Sequence, residues 1–559
     1  MKQQAAQRFS SPGTTQPLVM PDQRLDRQFI DPSAPVSTQG TLSLGLLMVW
    51  FSAALLCAIL VSLLLRSLQG AAMPTIGVLM LCGVVIVPFF WVAFAAAIAI
   101  AGLFWRGHPT TGTAQPLRIA ILVLLFDEPP DPVISRAVRL LASLDGRGIH
   151  SFSLYVLSDS RQFQSVQRER AVYDMALRQH GNLDLSYVHR EANTDFKSGN
   201  IRKWIRSFGQ SHDAMLLLDS DSVMDAQGVN AMANALSADP RCALVQSVPR
   251  VLPGQTRWQS MQSFASHCYG VNLGRGLDVI SGPAANFYGH NAIVRTRAFA
   301  DCAGLPHLAG EPPFGGVIMS HDFVEAALLR RAGWSVRFMP AVKGSFEESP
   351  ETLAAHLARD RRWCHGNLQH LGLLGVPGFA VMSRFHLLQG AMTYISAPLW
   401  LVAVALWTTV SVPPLSGALL FPLLLITLVL LLPRVCGLVP SASRLTAHDL
   451  AFALQELIFS SLLAPLLLMQ RTLMIFSIVF GTASVWERPK NDQMSMTSAI
   501  RFHRFEITLA MVFFACWMTG LVSPLIFTAA VPLLLAPLLN QAVSKRHTNQ
   551  ILSPPHDNQ

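Results

Sequence analysis

The stretch MLLLDSDSVMD, residues 215–225, decides the fold. Four apolar residues run directly into two aspartates, Asp219 and Asp221, separated by one serine. The apolar run predicts a buried strand. Carboxylates just past its end lie beyond the carboxyl edge of a parallel sheet, where open α/β sheets bind ligands. Two like charges this close repel each other unless something positive sits between them. Mg²⁺ or Mn²⁺ is suited to that position, because it takes one or two carboxylates plus phosphate oxygens. A solvated acidic loop is the alternative reading of the pair.

Similar short runs surround this one. LRIAILVLLF (117–126) and FSLYVLSD (152–159) also predict strands, and polar helical stretches alternate with them. Residues 115–380 therefore form an α/β domain with a mainly parallel sheet. On either side the composition changes. Residues 41–106 hold two apolar runs long enough to span a bilayer, and residues 385–545 hold four more, near 388–410, 415–438, 449–486 and 505–543. The last two are each long enough for two passes, with an interfacial helix as the alternative for 449–486. The expectation is eight crossings, with six as the smaller count. Polar residues 1–40 read as a disordered cytoplasmic tail, and 546–559 as a second cytoplasmic tail.

Composition agrees. The chain has 559 residues, 51% hydrophobic and 13% charged, against about 25% charged in soluble proteins. Its net charge of +9 fits basic loops on the cytoplasmic side of a membrane. No Lys/Arg run with interleaved aromatics marks a nucleic-acid groove, so nucleic acid is not an expected partner. The eight cysteines are scattered without a CxxC pair, which argues against a zinc site or a disulfide framework.

Further polar residues cluster in the α/β block. Asp159 ends a strand in VLSDS (156–160), and Lys197 opens KSGN (197–200), a small turn where a backbone can approach a diphosphate. In SHDFVEAALLRRAGW (320–334), Ser320 is a plausible N-cap and Asp322 lies in the first helical turn. The alternative for Asp322 is an acid that complements the helix dipole. A solvated basic face accounts for Arg330 and Arg331. RDRRWCHGN (359–367) follows Ser349 and Pro350, placed as N-cap and first helical residue. At helical spacing Arg359, Arg362 and Trp363 share one face. Arginine grips phosphate oxygens in bidentate fashion, and a flat indole packs on a sugar ring.

In this order the pieces resemble the membrane-embedded processive glycosyltransferases of family 2, a group that includes cellulose and hyaluronan synthases. The strings KSGNI, LDSDSVM, YGHNAIVR, SHDFVEAALLRRAGW, GSFEESP, RDRRWCHGNL and TYISAPLW are similar to one family within it, the glucans biosynthesis glucosyltransferase H family. The similarity is strong over roughly 115–410 and weaker beyond. Arg359 stands where the wider group has a leading glutamine, which puts a cellulose-type acceptor contact in doubt. LLFDEPPD (124–131) departs from the usual first-strand ending, so Asp127 is carried over only as a secondary donor contact. The chain is also shorter than the family leads one to expect, mainly at its N-terminus.

The resemblance implies a GT-A α/β glycosyltransferase domain inserted in an α-helical transmembrane bundle, in a bacterial inner membrane with the catalytic domain cytoplasmic. It implies UDP-glucose as donor, a growing β-1,2-glucan as acceptor, inversion at the anomeric carbon, and export with a periplasmic glucan-processing partner. Asp322 would be the general base, and Asp219 and Asp221 the metal ligands for Mg²⁺ or Mn²⁺. Asp159, Lys197, Asp127 and Arg362 would hold the donor, and Trp363, His290 and Arg359 the acceptor. A buried structural histidine is the alternative for His290. Gln389, Tyr394, Trp400 and Trp407 are candidates for lining an exit path, and ERPKNDQMS (487–495) for a gating loop. The rival readings are a cellulose-like or hyaluronan-like synthase, a lipid glycosyltransferase, and a non-catalytic nucleotide-sugar binder.

Overall fold

Residues 118–125 are buried almost throughout, as a central strand covered on both faces requires. The computed structural model describes residues 17–35, 43–68, 75–107, 112–409, 417–481 and 494–546. Its strands are β1 (Arg118–Leu125), β2 (Ser151–Ser158), β3 (Leu185–His189), β4 (Ala214–Leu218) and β5 (Ser222–Met224). They continue with β6 (Cys242–Ser247), β7 (Arg250–Val251), β8 (Ala292–Arg295), β9 (Ser335–Met339) and β10 (Ser345–Glu347). Seven form one sheet in the order β3-β2-β1-β4-β8-β6-β9, parallel except for β8, which runs antiparallel to β4 and β6. A small sheet, β5-β10-β7, lies beside it.

Alternate side chains feed two cores. Ala120, Leu122, Met215 and Leu217 pack with Trp204 and Leu329 from the helices Phe196–Phe208 and His321–Arg331. Ile119, Ile121, Val123, Leu216 and Leu218 pack on the other face with Val133 and Met232 from Pro130–Leu144 and Ala226–Ala238. Chain order reverses around β1, with β2 on one side and β4 on the other, so a crevice opens at their carboxyl ends.

The N-terminal stretch corrects the expectation of a disordered tail. Residues 1–16 and 36–40 lie outside the described residues, but 17–35 are held against the α/β domain. Met20 is 2% exposed and belongs to the sheet core. Asp31 accepts from Trp334 Nε1 at 2.9 Å and from the Ser33 amide at 2.8 Å. Arg331 donates to the Arg24 carbonyl at 2.8 Å and to Gln23 at 3.2 Å. Arg331 is thus buried, not solvated as its sequence context suggested, and Arg330 is buried as well. Hydrogen bonds rather than apolar periodicity hold this strap, so composition alone hid it.

Among the described residues, five helices are long and apolar enough to cross a membrane: Leu44–Ser67, Ile76–Leu103, Val381–Thr409, Leu420–Leu438 and Ala447–Val479. The pair Pro524–Leu534 and Ala536–Ser544, bent by 52°, makes a sixth if counted as one span. Eight crossings are therefore not formed among the described residues. The difference lies mainly at Ala447–Val479, which is one continuous helix rather than two passes. Three side-chain contacts tie it to the α/β side. Phe452 packs on Phe264 at 4.9 Å, Arg257 lies over Phe459 at 5.0 Å, and Arg471 bonds Asp360 at 3.0 Å. The bundle rests on the helix Val271–Ser281, where Ser43 donates to the Ile280 carbonyl and Asn272 to the Ala99 carbonyl.

Candidate active site

β4 ends at Leu218, and the chain turns at once. The Ser222 amide donates to the Asp219 carbonyl, and the Asp219 amide donates back to Ser222 Oγ. This turn lifts both aspartates above the sheet edge. Arg136 holds it from behind, donating to the Ser220 carbonyl at 2.6 Å and pairing with Glu348. The Glu348 amide donates to the Asp221 carbonyl at 3.0 Å.

The two carboxylates have different neighbours. Asp219 forms an ion pair with Lys197. Burial raises its pKa, but Lys197 and His290 outweigh that and hold it below the usual value. Asp221 has Arg359 at 3.9 Å, and its pKa is raised, first by burial and then by Asp219. Burial also raises the Glu347 carboxyl, and the charge on Asp221 adds to the effect. The loop is therefore short of positive charge. Its hard oxygen donors suit a divalent cation completed by phosphate oxygens, and no group of three His, Cys, Asp or Glu ligands occurs among the described residues.

Asp322 joins the same cleft from the start of His321–Arg331. Gly289, at φ +85°, marks the approach: a Cβ there would lie 3.5 Å from both Asp322 Oδ2 and Lys197 Nζ. Lys197 in turn pairs with Asp219, so the carboxylates at 219 and 322 line one crevice. Burial raises the Asp322 pKa, opposed by His321. Ser320 occupies the cap position, but its side chain makes no capping bond. Instead it meets Gly366, where a Cβ would lie 2.2 Å from Ser320 Oγ. That contact needs glycine and brings the helix Leu353–Gln369 against the Asp322 turn.

Leu353–Gln369 carries Arg359, Arg362 and Trp363 as expected, but its cap is Thr352, which accepts from the Ala355 amide at 3.1 Å. Ser349 and Pro350 precede it in the chain, where the Ser349 carbonyl accepts from Gln259. Arg359 lies over the Trp363 ring at 4.7 Å, leaving that indole 45% exposed. Arg362 is near enough to Asp219, Glu128 and Asp221 to feel their charge, although burial is the largest influence and lowers its pKa.

Asp159 needs correction as a donor contact. Both its oxygens accept from Arg190 at 2.7 Å, and both side chains are buried. Arg190 also donates to the Thr194 and Phe196 carbonyls. The pair thus fixes the approach to Phe196–Phe208, the helix that carries Lys197. Asp127 sits at φ +61° and accepts from the Gln162 amide at 3.3 Å. His290 bridges Ser222 Oγ at 3.2 Å and Glu347 Oε2 at 3.4 Å. Four members of the site were missed in sequence: Glu347, Arg136 and the buried pair His321 and Glu325, 3.0 Å apart. The string GSFEESP held Glu347, but only its pairing opposite Ser222 across β5 and β10 brings it here.

Tyr394 is not available to an exit path, because it is buried and donates to Asp360. Trp400 and Trp407 pack on the apolar core of the bundle. The loop 487–495 lies outside the described residues except for its last two positions.

Residues 214–433, from β4 through Asp322 and Leu353–Gln369 into the bundle, match the model of glycosyl transferase family group 2, and the mixed α/β sheet is GT-A-like. Curated relatives named glucans biosynthesis glucosyltransferase H are similar over more of the chain. That of Vibrio cholerae is 35% identical over 75% of this chain and 63% of its own length. That of Bradyrhizobium diazoefficiens is 42% identical over 58% and 45%, and that of Cereibacter sphaeroides 33% over 84% and 85%. The chain belongs to the glucans biosynthesis glucosyltransferase H family, although it spans less than two thirds of the Vibrio relative. Among solved structures, a mannosyltransferase from Pyrobaculum calidifontis in complex with GDP-Man and Mn²⁺ is 14% identical, with a TM-score of 0.41 over 72% of this chain and 97% of its own.

Proposed function

We propose that this chain is a membrane-embedded, inverting glucosyltransferase that extends a β-1,2-glucan from UDP-glucose and passes it across the inner membrane. The observation that carries the reading is one crevice holding Asp219, Asp221 and Asp322 with Lys197, and with the Arg359–Trp363 pair at its edge. Asp322 takes the proton of the acceptor hydroxyl. Arg362 and Lys197 offset charge on the departing diphosphate. A divalent cation held by Asp221 and Asp219 supplies Lewis-acid neutralisation of that same group. Trp363 stacks the terminal sugar of the acceptor. The apolar helices supply a protein-lined route for a polar chain that cannot cross hydrocarbon alone.

Linkage analysis of polymer made by the purified protein from labelled UDP-glucose tests this reading. β-1,2-linked glucose is expected; a cellulose-like or hyaluronan-like product, or a single sugar on lipid, would replace it. Trp363→Ala is expected to raise the acceptor KM by about tenfold, the equivalent of ~1.4 kcal/mol of lost stacking, with the donor KM unchanged. An unchanged acceptor KM removes Trp363 from the acceptor site.

A further inference from the structure

The helix Leu353–Gln369 presents a second face. One residue beyond Arg359, and so about 100° round the helix, Asp360 turns away from the crevice with its side chain 4% exposed. Its Oδ1 accepts from Tyr394 Oη at 2.8 Å, and its Oδ2 accepts from Arg471 Nε at 3.0 Å. The Arg471 guanidinium also lies 5.5 Å from the Tyr394 ring centroid. Tyr394 belongs to Val381–Thr409 and Arg471 to Ala447–Val479, so one carboxylate joins three helices. The residue preceding Arg471, Gln470, donates to Glu506 of Arg504–Met518 and draws in a fourth.

Around this node the packing is apolar, formed by Trp258, Leu357, Cys364, Leu463 and Leu466. A well-packed apolar cluster stabilises a junction at least as well as a buried ion pair does. What directional bonds to both carboxylate oxygens add is a fixed rotation and height for the helix. The Ser320–Gly366 contact fixes the same helix from the side of the Asp322 turn. Between these two anchors lie Arg359, at 3.9 Å from Asp221, and Trp363.

We propose that Asp360, Tyr394 and Arg471 form a positioning clamp that sets Arg359, Arg362 and Trp363 relative to the Asp221 and Asp322 carboxylates and ties that setting to the membrane helices. The clamp deepens the proposed glucosyl transfer and rests on that reading. None of its three residues touches substrate; they act through their neighbours on the helix.

The test compares the purified full-length protein with the triple variant Asp360→Leu/Tyr394→Phe/Arg471→Met, which removes both buried charges and the hydroxyl bonded to them and keeps the volume apolar. Melting temperature, donor KM, kcat for UDP release and hydrogen exchange over Leu353–Gln369 are read side by side. The clamp predicts an unchanged melting temperature, a donor KM raised through the displaced Arg362, faster exchange over that helix, and a kcat lower by about 10²-fold, the cost of a displacement near 1 Å in a reacting geometry. Wild-type kcat in the triple variant, or a kcat loss that only tracks a fall in melting temperature, overturns it. A wild type that releases no UDP, combined with a loosened helix in the variant, sinks the proposed reaction and leaves the clamp standing.

Discussion

Asp322→Asn is expected to cut glucan synthesis by about 10²–10⁴-fold, the contribution of a positioned general base, while fold and donor binding are kept. The substitution preserves the size of the side chain and the helix start, and it leaves the Lys197–Asp219 pair intact. The ability to accept a proton is lost, together with the negative charge that faces His321 and Lys197. The pH profile carries an independent sign. Burial raises the Asp322 pKa, and the base works only when ionised. The wild-type rate therefore climbs with pH through a point above the ordinary aspartate value of about 3.9, and the residual rate of Asp322→Asn lacks that limb. Near-normal synthesis by the variant, or an unchanged acid limb, removes Asp322 from the base role.

The second large effect is on stability. Arg190→Met is expected to destabilise the protein by about 3–5 kcal/mol, because it strands the buried Asp159 carboxylate without its partner. Both carboxylate oxygens depend on Arg190, and so do the carbonyls of Thr194 and Phe196. Damage should therefore spread to the helix that carries Lys197. Asp159→Asn/Arg190→Met removes the stranded charge and is expected to recover most of the lost stability. Thermal melting of the purified variants reads the difference. An Arg190→Met protein that melts with the wild type contradicts the view that this pair anchors the donor side of the crevice.

The contrast between Asp322 and Asp159 marks how far the sequence was legible. Strand-end aspartates, an acid in a first helical turn and an arginine-tryptophan face are local patterns, fixed by a short unbroken apolar run and by 3.6-residue spacing. They were recovered in position at Asp219, Asp221, Asp322, Arg359 and Trp363. Asp159 has the same local signature as the others, and nothing in its surroundings announces Arg190, 31 residues away. Glu347 enters through antiparallel pairing with Ser222, a register that no spacing along the chain reveals. In ESPET two residues could cap the helix, and Thr352 does so because the chain remains extended past Ser349 to meet Gln259. The apolar run at 449–486 invites two passes, but Ala447–Val479 is one continuous helix that Arg471 and Phe452 tie to the α/β side, and those partners lie far off in sequence.

The central physical claim is that an acidic turn beside a lysine and two arginines works on a sugar nucleotide's diphosphate through a bound cation. UDP release from UDP-glucose by the purified chain, measured after treatment with a chelator and again after Mg²⁺ or Mn²⁺ is restored, tests it most directly. The account predicts release that disappears with the chelator, returns with the metal, and stays absent in Asp221→Asn under both conditions. Release at the wild-type rate in the chelated protein, or in Asp221→Asn, would contradict it.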